Sequence, residues 1–146
     1  MHPGRVKTNA AAQPGNKLIL TKPLGLGVLA SAYRAEMLDD EGYQQMVASL
    51  MQINFSGSWL GEMPKVHALT DITGFGLAGH LVEMAEGAGV TMRIDSEIVP
   101  IMPEALPLAP EGLFPGGAYR NMEGYTDRLS FNDNCCLPIR KPTAVC

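Results

Sequence analysis

A carboxylate three residues ahead of a glycine pair is the most chemically suggestive feature of this 146-residue sequence. It stands in Val66-His-Ala-Leu-Thr-Asp-Ile-Thr-Gly-Phe-Gly-Leu-Ala-Gly-His80, where a short apolar run breaks at Thr70-Asp71 and crosses Gly74, Gly76 and Gly79 into a helical pattern. Glycines let a backbone approach a ligand closely, and a helix start offers free N–H groups and a positive dipole end to an anion. Two readings compete. Gly74-x-Gly76-x-x-Gly79 fits the dinucleotide fingerprint, with Asp95 following Gly74 by 21 residues as the ribose partner. Asp71 opposes it, because a bare pyrophosphate beside a carboxylate is repelled unless a divalent cation lies between them. The pattern suits a Mg²⁺–phosphate complex better than a naked dinucleotide, with Asp71 as metal ligand and Gly74 and Gly76 lining the phosphate side. The structural alternative makes Asp71 or Thr73 an N-cap, and Gly79 a site of close helix packing.

Two cations are candidate phosphate partners. Lys22 precedes a glycine-permitted helix start, and Arg120 follows a turn expected at Gly116-Gly117. His80 lies off the apolar stripe and reads as a surface or supporting histidine. Asp95 reads as a turn former at the end of a strand. Cys135, Cys136 and Cys146 are odd in number and crowded into the last twelve residues, which is neither a disulfide framework nor a metal set.

The elements that must position these groups follow from periodicity. Pro14-Gly15-Asn16 is a turn, Lys17–Thr21 a strand, and Gly25 and Gly27 admit a helix bearing Leu26, Leu29, Ala30, Tyr33 and Met37 on one face. Asp39 or Asp40 caps a second helix whose Tyr43, Met46, Val47, Leu50 and Met51 recur as an amphipathic stripe, read as core. Asn54–Trp59 loosens that pattern, so the helix is expected to fray, bend or restart before Pro64. Val66–Leu69 and Val90–Ile94 are strands around the glycine-rich helix, which buries Leu77, Leu81, Met84 and Ala85 and ends at Gly87 and Gly89. Five prolines between Pro100 and Pro115 allow only short pieces, such as one turn at Glu104–Leu106. The fold expected is α+β, mixed α/β layers: a β-α-α-β-α-β core with helices packed on a mixed sheet, short of its last strands.

His67–Ala85 resembles the central motif of selenophosphate synthetase (selenide, water dikinase), of the aminoimidazole ribonucleotide synthetase-like superfamily. Lys17-Leu-Ile-Leu-Thr-Lys-Pro-Leu-Gly25 and Pro115-Gly-Gly-Ala-Tyr-Arg-Asn121 resemble two further segments of that family in the same order. The resemblance implies conversion of ATP, selenide and water to selenophosphate, AMP and phosphate, with Mg²⁺ held partly by Asp71. It implies a homodimer in the full-length family. It also implies that residues 1–16 are a linker from an N-terminal ATP-binding domain, 17–127 an incomplete C-terminal domain and 128–146 an unmatched tail. The family places its reactive cysteine or selenocysteine in that first domain, so no catalytic residue is expected in this chain and the isolated chain is expected to be inactive. A sibling ATP-using enzyme of the superfamily, such as aminoimidazole ribonucleotide synthetase or thiamine-monophosphate kinase, is a further alternative, against which the Thr-Lys-Pro-Leu-Gly and Pro-Gly-Gly-x-x-Arg-Asn segments argue. A dinucleotide-binding module and a non-catalytic partner subunit or remnant stand as alternatives.

Composition sets the outer bounds. With 46% apolar and 18% charged residues the chain is an ordinary globular protein. A net charge of −4 without a basic stripe gives no footprint for nucleic acid. No apolar run reaches membrane-spanning length and no signal-peptide core is present, so the expected location is cytoplasmic.

Overall fold

The computed structural model describes residues 6–131. Five helices follow in order: α1 (Leu26–Arg34), α2 (Asp40–Met51), α3 (Ser56–Glu62), α4 (Gly76–Ala88) and α5 (Gly116–Tyr125). Single 3₁₀ turns at Ser96–Ile98, Pro103–Ala105 and Thr126–Arg128 punctuate the connections.

The expected mixed sheet is not present among the described residues. Lys17–Thr21, Val66–Leu69 and Val90–Ile94 carry no ladder pairing, and the one bridge is parallel, Leu24 to Ile101. There the Leu24 N–H donates to Pro100 O at 2.9 Å and the Met102 N–H donates to Leu24 O at 2.7 Å. Between Leu69 and Thr8 a single N–H···O contact of 3.2 Å forms. Apolar and β-branched residues favour extension locally, but a strand also needs a partner aligned over several residues.

The main core gathers where α1 crosses the proline-rich return. Val28, Leu29, Met46, Met102 and Ala105 form one cluster, with Leu38, Ile101, Leu108 and Phe114 against it. Gly25 makes this crossing possible. Its φ is +122°, and a Cβ there would stand 2.8 Å from Ala105 Cβ. Helix α2 is capped as expected: Asp39 Oδ1 accepts from the Gly42 N–H at 2.8 Å. Its stripe, however, is a correction. Only Met46 of the five apolar positions is buried, while Tyr43, Val47, Leu50 and Met51 stay exposed, because α1 covers one edge of α2 and no sheet covers the rest. Tyr33 and Met37 are exposed, while Leu29 is buried as expected and Val28 and Ala32 join it.

The pattern loosening after Met51 is a true restart, producing α3. Gly89 closes α4 in the left-handed conformation, φ 64°, with Gly87 still inside the helix. Helix α5 was not foreseen. Gly116-Gly117, expected as a turn, open its first turn after Pro115, which fixes the entry without needing an N–H. The three cysteines and nearly all of the 128–146 tail lie outside the described residues.

Candidate functional site

The Asp71–Phe75 turn feeds α4, and α5 packs beside it. Asp71 is exposed and makes no hydrogen bond or ion pair among the described residues. It is therefore not the N-cap: the cap position is Phe75, with no side-chain cap hydrogen bond, and the Gly76 N–H donates to Thr73 O at 3.0 Å. Gly76 sits at φ +68°, a left-handed conformation that turns the chain into α4 and that a side chain would strain. Gly74 is exposed with open space around it, as a phosphate-side glycine requires.

Helix α5 brings the third sequence motif to this turn. Asn121 Nδ2 donates to the Gly74 carbonyl at 2.7 Å. A Cβ placed on Gly117 would stand 3.8 Å from Gly74 O and 3.9 Å from Arg120 Nη2, so the guanidinium and the turn share one neighbourhood. Gly74, Gly76 and Arg120 thus group around the starts of α4 and α5, neither of which carries a side-chain cap, and Asp71 stands three residues ahead of Gly74 in the chain. Two helix starts beside an arginine form a local positive environment suited to an anion.

Lys22 is not brought to this group. Its ammonium donates to the Gln52 carbonyl at the C-terminal end of α2, where a cation complements the helix dipole. Asp95 Oδ1 accepts from the Glu97 N–H at 3.1 Å and caps the 3₁₀ turn that follows. It is the turn former expected, although it ends no strand. The β-α-β unit that a dinucleotide site requires is absent among the described residues.

His80, expected as a surface or supporting histidine, is buried and holds the turn. It is 7% exposed, and its Nε2 receives the Thr73 N–H at 3.0 Å and lies 3.1 Å from Thr73 Oγ1. Nδ1 is buried without a hydrogen bond and lies 3.6 Å from Glu83 Oε2. Spacing alone gave no signal of this contact, because Thr73 precedes α4 and residues seven apart along a helix lie about 10 Å apart on its axis. Gly79 packs closely as expected, under Phe75 and Tyr125.

No group of three or more acidic, histidine or cysteine side chains suited to a metal occurs among the described residues. Two surface clefts, one bordered by Leu38, Asp39, Glu104 and Leu108 and one by Gly57, Ser58, Gly61 and Glu62, both lie away from Asp71. The chemistry of the turn is thus that of an open surface. Among the described residues no helix is long and apolar enough to cross a membrane.

Comparison with known proteins adds an independent finding. The family model for AIR synthase related proteins, C-terminal domain, matches residues 13–119. Selenide, water dikinase from Burkholderia pseudomallei (strain K96243) is 44% identical over 133 residues, covering 91% of this chain and 38% of that protein. The enzyme of the same name from Burkholderia cenocepacia is 46% identical over 133 residues, and that from Pseudomonas straminea 44% over 129. The resemblance read from the three sequence segments is borne out. The chain spans little more than a third of the length of these relatives.

Proposed function

The chain belongs to the AIR synthase related protein family through its C-terminal domain, and from that premise we propose that it serves in a selenide, water dikinase, the ATP-dependent synthesis of selenophosphate. The observation that carries the reading is Asp71: an exposed carboxylate, free of partners among the described residues, at the turn where the uncapped starts of α4 and α5 meet. Its carboxylate would hold Mg²⁺, an ion that could supply charge neutralisation to a phosphate. A lone carboxylate fits one position of a magnesium shell, since that ion binds through one or two carboxylates and completes its shell with phosphate and water. Arg120 and the N–H groups at the start of α4 bind and orient the phosphate on the protein side, and Gly74 leaves room for its approach.

The reaction, by resemblance, takes ATP, selenide and water to selenophosphate, AMP and phosphate. With one acidic ligand and no nucleophile at the turn, the described residues supply positioning and charge rather than the reacting group. The relatives' remaining length supplies the rest. A second reading, a non-catalytic partner role, draws on the exposed apolar run Leu50, Met51, Ile53, Phe55 and Trp59, which another surface must cover.

Calorimetric titration of the purified chain with Mg·ATP, with and without the remaining portion of a relative, tests the reading, alongside AMP release in the presence of selenide. AMP formed only in the mixture, and lost with Asp71→Ala, is the expected result. AMP formed equally well with Asp71→Ala in the mixture would remove Asp71 from the site.

A further inference from the structure

We propose that His80 and Asn121 are positioning residues that hold the Thr73–Gly74 turn from its two sides and so fix where Asp71 presents its carboxylate. The inference rests on the reading of Asp71 as a metal ligand.

A backbone N–H can only donate, so the 3.0 Å contact from Thr73 requires a bare Nε2 on His80 and puts the ring proton on Nδ1. The Glu83 carboxylate, 3.6 Å from Nδ1, is too far for a good hydrogen bond but favours a proton there electrostatically. The buried ring is therefore oriented to accept from Thr73. On the other side, Asn121 holds the Gly74 carbonyl at 2.7 Å, and Arg120 is its neighbour on α5. Asp71 lies two residues before Thr73 and has no other tether among the described residues. Glycine at 74 leaves this backbone soft, and ordering a soft loop during binding costs affinity. Losing a group that orients a metal ligand typically costs about 10–100-fold in metal affinity.

The test is ¹⁵N NMR of the labelled chain, with the unlabelled remaining portion of a relative present, titrated with MnCl₂ and ATP, comparing wild type with Asp71→Asn, His80→Ala, His80→Gln and Asn121→Ala. Manganese broadening should centre on residues 70–74 and vanish in Asp71→Asn. His80→Ala and Asn121→Ala should shift half-saturation about 10-fold upward, the low end for losing an orienting group. His80→Gln should stay near wild type, because its side-chain carbonyl can also accept from Thr73. A long-range ¹⁵N–¹H spectrum should show His80 protonated at Nδ1 and bare at Nε2. Should Asp71→Asn leave the broadening intact, or should wild type show none, the metal-ligand reading falls and this inference with it. If Asp71→Asn abolishes broadening while His80→Ala and Asn121→Ala titrate as wild type, the positioning role falls and the metal reading stands. Loss of α1 and α2 signals in His80→Ala would mean unfolding, and His80→Gln and Asn121→Ala then decide: a wild-type titration in Asn121→Ala, or a Gln variant that is folded but weakened, overturns the proposal.

Discussion

The ring of Tyr125 occupies the space that a side chain on Gly79 would need. A Cβ on Gly79 would stand 2.8 Å from Tyr125 Cε2 and 2.9 Å from Phe75 Cβ. Phe75 and Tyr125 meet edge to face, ring centroids 6.3 Å apart. The glycine thus lets α5 close on α4 and brings Asn121 to Gly74. In Gly79→Ala the helix gains roughly 0.5–1 kcal/mol of propensity. Overpacking against a backed ring costs more, about 1–3 kcal/mol. The variant should show a lower urea midpoint, and Tyr125→Ala in the same chain should recover part of the loss.

The ion pair across the same interface should matter much less. Arg128 Nη1 lies 3.3 Å from Glu86 Oε1 with both side chains largely exposed, and the guanidinium sits 4.8 Å over the Tyr125 ring. Exposed pairs contribute about 0.2–1 kcal/mol and are screened by salt. Glu86→Gln should therefore move the urea midpoint less than Gly79→Ala does, and the difference should shrink at high salt.

Gly25 should be the least tolerant of the glycines. Its φ of +122° is strained for any other residue, and a Cβ there would also meet Ala105 at 2.8 Å and Met102 at 3.4 Å inside the main core. Left-handed strain of about 1–2 kcal/mol adds to a core clash of about 1–3 kcal/mol. Gly25→Ala should lose cooperative thermal unfolding or show it far below wild type, as followed by far-ultraviolet circular dichroism.

These glycines show what was legible in the sequence. Caps and breaks depend on a few neighbouring residues, so a cap at Asp39 or Asp40, the stop at Gly89 and a break in the helix pattern before Pro64 could be read directly. Strand pairing and helix coverage depend on distant partners. The stripe of α2 announces a buried face, yet Leu50 is 61% and Met51 78% exposed because the described residues cover them only in part. The candidate site divides in the same way. Asp71, Gly74 and Gly76 are consecutive enough to be seen as one turn. Asn121 reaches that turn from 47 residues away, and the Thr73–His80 contact needed the helix in place before it could be seen.

Asp71→Ala separates a site residue from a structural one. An N-cap aspartate costs about 0.5–2 kcal/mol when replaced by alanine, and Asp39→Ala, which removes a real cap from α2, should lower the urea midpoint accordingly. Asp71 caps nothing and is exposed, so its replacement should leave the midpoint within about 0.5 kcal/mol of wild type. The same variant should remove Mg·ATP binding seen in calorimetry with the remaining portion of a relative present. The two measurements together decide the role. Unchanged stability with lost binding is what a ligand-holding carboxylate gives. A matching loss of both would mean that the turn itself had collapsed, and an unchanged pair would leave Asp71 an ordinary surface charge.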